Sequence, residues 1–276
     1  MNEEQLQELL SVYRFRRPMP ALPRRSNPYR WLAVAAAVIV IVVVVAIWPK
    51  KDANWRTDGR VLRAGETIAT PTRLESRAVG VVDVAANTVV RFEGGNRLSL
   101  ERGTIHAKTT SPPGIFVVDT PRARAIDLGC EYVLSIAENG GGILRVTLGW
   151  VALNNWAQTL VPQGAKASID AGGHLGPPIF EDASPEFQSA LARGDLEAAL
   201  PLARRRDALT LLNLFRSATP DQRLLLYDRL NQLVPAPPSV PREAMRNWTM
   251  LTTEPWWPSV LKASGVPAIK KKKRVG

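Results

Sequence analysis

Side chains able to make or break bonds are few in this chain of 276 residues: two histidines, His106 and His174, and one cysteine, Cys130. Cys130, His106 and Asp127 nominally supply a thiol nucleophile, a base and an orienting carboxylate. The competing reading is structural. Cys130 follows Leu128-Gly129 at the start of an alternating strand, where a small apolar side chain packs well. A metal site needs several His, Cys or carboxylate ligands brought together, and neither C-x-x-C nor H-x-x-x-H spacing occurs. The G-x-x-x-x-G-K-[ST] phosphate loop, the G-x-S-x-G elbow and an acidic metal cluster are missing as well. Gly140-Gly141-Gly142 is accounted for as a turn. These residues point to a protein that binds rather than transforms, so no enzyme activity, metal or cofactor is expected.

The elements that would position a binding site begin with residues 31–48, WLAVAAAVIVIVVVVAIW, an unbroken apolar run with Trp31 and Trp48 at its ends. As a helix it is ~27 Å long, close to a hydrocarbon core of roughly 30 Å. Indole rings at both ends suit the two headgroup levels. The sequence after Trp48, Pro49-Lys50-Lys51, is a poor signal-peptidase site. The run therefore predicts a single transmembrane helix, with the lipid bilayer as its partner. Long domains translocate largely regardless of charge, whereas an outside N-terminus would carry six arginines across. The N-terminus is expected in the cytoplasm and the C-terminal domain outside it. One cysteine allows no internal disulfide, so the exported fold must rely on its core.

The net charge of +11 is unevenly spread. Residues 52–261 hold 22 basic and 22 acidic side chains, so the folded part is neutral. The excess lies in residues 1–30, in Lys50 and Lys51, and in the tail containing Lys270-Lys271-Lys272-Lys273-Arg274. A nucleic-acid reader needs its Lys and Arg clustered on the fold, so no nucleic-acid partner is expected. The tail suits a solvated segment or an anionic surface, each basic residue contributing roughly 1 kcal/mol near such lipid.

Ahead of the apolar run, Leu6, Leu9, Leu10 and Tyr13 fall at i, i+3, i+4 and i+7, one apolar stripe on a short helix. Such a helix is marginal alone. It is either a docking segment or a frayed tail. Residues 16–30 carry four prolines among arginines and read as an extended tether. From about 58 to 180 the period becomes two. Tyr132, Leu134 and Ile136 alternate, as do Leu144, Val146, Leu148 and Trp150, around the turn Glu138–Gly142. Similar patterns around Glu101-Arg102-Gly103 and before Asn87 suggest an all-β sandwich, barrel or solenoid of short strands. After Gly176-Pro177-Pro178 the signals turn helical. Ser184-Pro185 and Thr219-Pro220-Asp221-Gln222 are N-cap sequences, the second with a capping-box Gln. Residues 234–243 read as an extended linker, after which Trp248, Trp256 and Trp257 either fold back or meet a partner.

Residues 97–165 resemble the FecR domain of bacterial transmembrane regulators. The resemblance rests on Leu100 to Gly103, Val118 to Ala123, Gly129 to Tyr132 and Leu144 to Leu153, with Leu62 to Glu66 and Thr70 upstream. Its motif positions are Gly103, Thr120, Pro121, Gly129, Cys130, Tyr132 and Gly149, Cys130 standing where the family often has Thr. The resemblance covers roughly residues 58–170. It implies an all-β periplasmic domain on one inner-membrane helix, receiving an envelope signal and controlling an extracytoplasmic-function sigma factor. The segment ahead of the apolar run is shorter than the anti-sigma domain of those regulators.

The expected architecture is mainly β with a separate α region: a cytoplasmic segment (1–30), a transmembrane helix (31–48), a FecR-like β domain (58–180), a small helical bundle (184–262) and a polybasic tail (263–276). The expected place is the bacterial inner membrane. The leading function is a sensor and regulator that relays an envelope signal to a sigma factor, with Leu6, Leu9, Leu10 and Tyr13 as partner-binding residues. The alternative is an envelope module that binds protein or glycan and has no cytoplasmic output.

Overall fold

The computed structural model describes residues 55–266, all within one of the two units into which the chain divides, Val45–Gly276. Leu6, Leu9, Leu10, Tyr13, the run from Trp31 to Trp48 and the tail Lys270–Arg274 lie outside the described residues.

Fifteen strands come first. They are β1 (Arg56–Thr57), β2 (Arg60–Val61), β3 (Thr67–Ile68), β4 (Thr72–Ser76), β5 (Gly80–Val84), β6 (Val89–Gly94) and β7 (Arg97–Thr109). Next are β8 (Val117–Asp119), β9 (Arg124–Asp127), β10 (Glu131–Ile136) and β11 (Gly142–Leu148). Last are β12 (Trp150–Asn154), β13 (Gln158–Pro162), β14 (Ala165–Ile169) and β15 (Ile179–Phe180). Pairing is antiparallel except between β7 and β8.

The 13-residue β7 belongs to both halves of this sheet. Its first half, to Arg102, pairs with β6 and β8; from Gly103 on it pairs with β5 and β10. Strands that change sheets do so at bends or bulges, and both occur here. The β6–β7 register slips opposite Leu100–Arg102, and Gly103 follows at φ +95°. A Cβ on Gly103 would stand 2.4 Å from Thr88 Cα. Thr88 is fully buried, and its hydroxyl accepts from Thr104 N–H at 2.9 Å and donates to Thr104 O at 3.1 Å. The close approach thus ties the bend to a neighbouring loop.

Later passages between the halves use the same device. Gly129 joins β9 to β10, Gly149 joins β11 to β12, and Gly164 joins β13 to β14, with φ of +89°, +75° and +75°. Gly149 corrects one expectation. Leu144, Val146, Leu148 and Trp150 read as one strand with one buried face, yet Leu148 is 56% exposed. The chain turns at Gly149, so Trp150 starts a strand pairing with β9 and β13, while β11 pairs with β10 and β14. The predicted hairpin itself forms, with Tyr132 opposite Val146 and Leu134 opposite Leu144.

Six helices follow: α1 (Pro185–Ala192), α2 (Leu196–Leu202), α3 (Ala208–Leu214), α4 (Pro220–Leu233), α5 (Met250–Thr253) and α6 (Trp257–Ala263). Ser184 caps α1 by accepting from Phe187 N–H, and Thr219 and Gln222 form a reciprocal capping box on α4. These helices are not a separate bundle. Phe187, Leu211, Phe215, Leu230 and Trp256 belong to the same buried cluster as Leu134, Val151 and Phe180 of the sheet. Thr210 Oγ1 donates to Pro178 O at 2.7 Å within that shared core, and the Arg206 guanidinium lies 4.4 Å over the Phe180 ring. Residues 234–243 also fold back: Tyr227 Oη donates to Val240 O, and Trp256 Nε1 to Val234 O, each at 3.0 Å.

The expected fold class is therefore corrected to a mostly antiparallel sheet with a few helices sharing its core. No helix among the described residues is long and apolar enough to cross a membrane. The longest, α4, spans about 21 Å and carries Asp221, Arg223, Asp228 and Arg229. The expected single transmembrane helix is not among them.

The bend in β7 makes a stability prediction. Gly103→Ala forces a left-handed residue into contact with Thr88 and should cost roughly 2–5 kcal/mol. Gly65→Ala is the control, at φ +85° with nothing within 4 Å of the added Cβ. Urea denaturation of both variants should show the larger loss at Gly103. Equal midpoints would refute the claim that close packing there matters.

Candidate functional site

The structure brings together part of the nominal thiol constellation. Cys130 Sγ donates to Asp127 Oδ1, and Gly129 N–H donates to the same oxygen at 2.9 Å. His106 is elsewhere. It lies on the outer face of β7, with Nε2 3.0 Å from Glu131 Oε1, while Lys108 Nζ reaches the other oxygen at 3.4 Å. Cys130 is buried, and burial together with the Asp127 carboxylate pushes the thiol far above its ordinary range. Burial also raises the Asp127 carboxyl, against hydrogen bonds that favour its charged form. A thiol held protonated beside a carboxyl without a histidine is not an activated nucleophile. Asp127 Oδ2, Tyr132 Oη and Ser111 Oγ are buried with no hydrogen-bond partner among the described residues. This polar knot fixes the β9–β10 corner: Thr109 Oγ1 accepts from Cys130 N–H and donates to Cys130 O.

The other motif residues have structural positions. Gly103, Gly129 and Gly149 are the corners already described, and Tyr132 is fully buried. Thr120 Oγ1 donates to Ala123 O at 2.8 Å and accepts from Ala123 N–H at 3.0 Å, closing the β8–β9 turn that contains Pro121. His174 is exposed, with Nδ1 2.8 Å from Asp170 Oδ2. No group of three or more His, Cys, Asp or Glu could hold a metal among the described residues.

A candidate groove lies where the sequence had singled out only Trp248. The β12–β13 hairpin turns at Asn155-Trp156-Ala157. Ala157 N–H donates to Asn155 Oδ1 at 2.8 Å, an Asx turn, and Asn155 Nδ2 donates to Gly173 O at 2.6 Å and Arg122 O at 3.2 Å. The tip is thus held to two neighbouring loops, and Trp156 stands outward at 69% exposure. Its ring meets His174 edge-on at 5.8 Å, over Gly173, where a Cβ would come within 2.8 Å of the indole.

The helical part supplies the facing wall. Arg216, just after α3, donates from Nη1 to Gln158 O, across from the hairpin. Trp248 packs against Phe215 at 6.4 Å and under the Arg223 guanidinium at 5.2 Å, and its Nε1 donates to Thr253 Oγ1. Met250 is 59% exposed beside it. Between the walls lies a groove of about 540 Å³ lined by Asn154 to Gln158, Arg216, Trp248 and Met250. No carboxylate lines it, and Arg216 forms no ion pair among the described residues. Asn154 Oδ1 is buried without a donor. Among the described residues the lining has no thiol, hydroxyl or imidazole; it is made of amide, indole, guanidinium and thioether groups. Sites with aromatic walls and a few polar groups are the common form of such pockets. The missed signal was an indole in a turn, flanked by Asn-Asn and Gln, between two alternating strands.

Two outcomes follow for the buried knot. Native Cys130 should resist alkylation by iodoacetamide and react only on unfolding; rapid native labelling would contradict its burial. A raised carboxyl means that the folded state holds its proton to higher pH than the unfolded chain. Asp127 therefore favours folding below the ordinary carboxylate range, about pH 4, and loses that contribution as pH rises through the raised value. Asp127→Asn should gain stability relative to the parent as pH rises above about 4. Parallel stability profiles for the two proteins would count against this assignment.

No family model matches this chain, and no curated protein matches it. Among solved structures it is similar to two crystal structures from Parabacteroides distasonis, each of a provisionally assigned anti-sigma factor. The first, at 1.65 Å resolution, is 19% identical over 48% of this chain and 63% of that one, with a TM-score of 0.33. The second, at 2.50 Å, is 18% identical over 52% of this chain and 74% of that one, with a TM-score of 0.34. This chain thus spans less than two thirds of the first. The likeness is to structures assigned, at that coarse level, as regulators of sigma factors; at this TM-score it carries no argument about what this chain binds.

Proposed function

We propose that this chain is a signal-responsive regulator of the anti-sigma kind, similar to FecR proteins. The sheet-and-helix unit takes up a partner at the Trp156 groove on the envelope side of the cell. The stripe Leu6, Leu9, Leu10 and Tyr13 holds an extracytoplasmic-function sigma factor, and the basic tail Lys270–Arg274 rests near an anionic surface. The proposed role is non-enzymatic.

The groove carries the binding half of this reading. An indole left 69% exposed beside an arginine with no ion-pair partner among the described residues is surface that a ligand would cover. The relay half is supported by the motif resemblance over residues 58–170 and by the apolar stripe. A bound partner shifts a regulator only by its differential affinity for two states. A second reading, an envelope binding or scaffolding module without cytoplasmic output, is favoured by one observation. Among the described residues, the groove is lined by side chains that all fall between positions 154 and 250.

Affinity capture with the full chain tests the relay. It should retain one of the host's extracytoplasmic-function sigma factors. Leu9→Asp should weaken that capture by at least about tenfold, or 1.4 kcal/mol. Trp156→Ala should leave capture intact and alter the sigma-dependent reporter. Capture indifferent to Leu9→Asp would leave the binding-module reading standing.

A further inference from the structure

We infer that the Trp156 groove takes an acidic, apolar peptide segment of a protein partner, with one carboxylate at Arg216 and flanking apolar side chains along Trp156 and Met250. The inference rests on the groove being the binding site of the proposed function and names the chemistry of its occupant.

Charge is the first argument. Among the described residues the lining holds one guanidinium and no carboxylate. Arg216 spends one N–H on Gln158 O and keeps others for an incoming acceptor. Guanidinium groups favour carboxylates because two parallel N–H donors match two oxygens. Arg223, the other nearby cation, lies over the Trp248 ring and donates through Nε to Phe215 O, so it adds positive field at the groove wall without blocking it. His174, whose Nδ1 faces Asp170, borders the opposite side. Asp170 is therefore already engaged by a neighbour.

The apolar lining is the second argument, and it separates a peptide from an acidic saccharide. A sugar ring would use the flat face of Trp156 but gains little from flexible aliphatic chains. Here the lining continues past the indoles onto Met250, more than half exposed on the short α5, where the next residue, Leu251, is exposed as well. A thioether and an isobutyl group adapt to partner side chains. They extend the apolar surface beyond what one ring would cover. The Gln158 amide offers both a donor and an acceptor, which suits a peptide backbone. The hairpin tip is held by three hydrogen bonds from Asn155 and Ala157, so little ordering cost falls on the protein side.

Selection from a random heptapeptide library displayed on phage, using the full chain as bait and Trp156→Ala as counter-bait, tests the inference. The expected result is enrichment of peptides with Asp or Glu next to Leu, Ile, Phe or Met. In fluorescence anisotropy those peptides should bind about tenfold more weakly to Arg216→Gln and, with the acid changed to its amide, to the parent. Both variants lie at exposed positions, and matching thermal melts would show that they fold. Enrichment of neutral or basic peptides, no Trp156-dependent enrichment, or equal binding by Arg216→Gln would overturn the proposal. Trp156-dependent binding to a uronic-acid oligosaccharide in place of the peptides would do so as well. If Trp156→Ala changes the sigma-dependent reporter while no acidic peptide is selected, the groove stands and its assigned chemistry falls. If acidic peptides are selected while no sigma factor is captured, the regulatory reading falls and this one stands.

Discussion

The structure depends on one close contact, that of Gly103 with Thr88. Among the described residues β7 is the strand shared by both halves of the sheet, so its bend sets where the later strands can pair. The bend needs a left-handed residue, which glycine adopts without a steric penalty. It also needs a backbone-to-side-chain approach that leaves no room for a Cβ. Thr88 then binds Thr104 through both its N–H and its C=O. The Thr104 N–H thereby gains a partner at the bend, and its C=O, which also accepts from Ala85 N–H at 3.0 Å, gains a second.

From that bend the chain crosses between the halves at Gly129 and Gly149, two corners that touch. A Cβ on Gly149 would lie 2.1 Å from Gly129 O. The Asp127–Cys130 knot sits at the same place, so a buried carboxyl and thiol hold a corner instead of doing chemistry. What this arrangement delivers is β12, and with it the β12–β13 hairpin. The outward position of Trp156 follows from corners far from it in sequence.

The groove has a second parent in the helices. Their apolar faces close over the same core as the sheet, which brings Arg216 to the Gln158 carbonyl and Trp248 to the opposite wall. Neither wall alone makes a concave surface. Burial of Phe215 and Trp256 positions the exposed residues around them, so packing and recognition share the same residues. The exposed indole sits on a hairpin tip that the Asx turn at Asn155 fixes.

Local physics was legible in the residues themselves. The alternation of Tyr132, Leu134 and Ile136 marked a half-buried strand, Glu138–Gly142 marked its turn, and Ser184, Thr219 and Gln222 marked helix starts, because each depends on neighbours a few positions away. The same short-range logic failed at Leu148, where the period of two continued through a residue that the Gly149 corner turns outward. It also failed for the helices, whose periodicity reveals an apolar face but not the surface that covers it. The run at 31–48 marked a membrane span by length and hydropathy, and the described fold contains none. The scarcity of histidine and cysteine was plain in the composition. The separation of His106 from Cys130, the knot at Asp127 and the meeting of Trp156 with Arg216 and Trp248 were decided only by tertiary structure. Those contacts join residues tens of positions apart, and their geometry is set by where the sheet crosses over and what the helices cover.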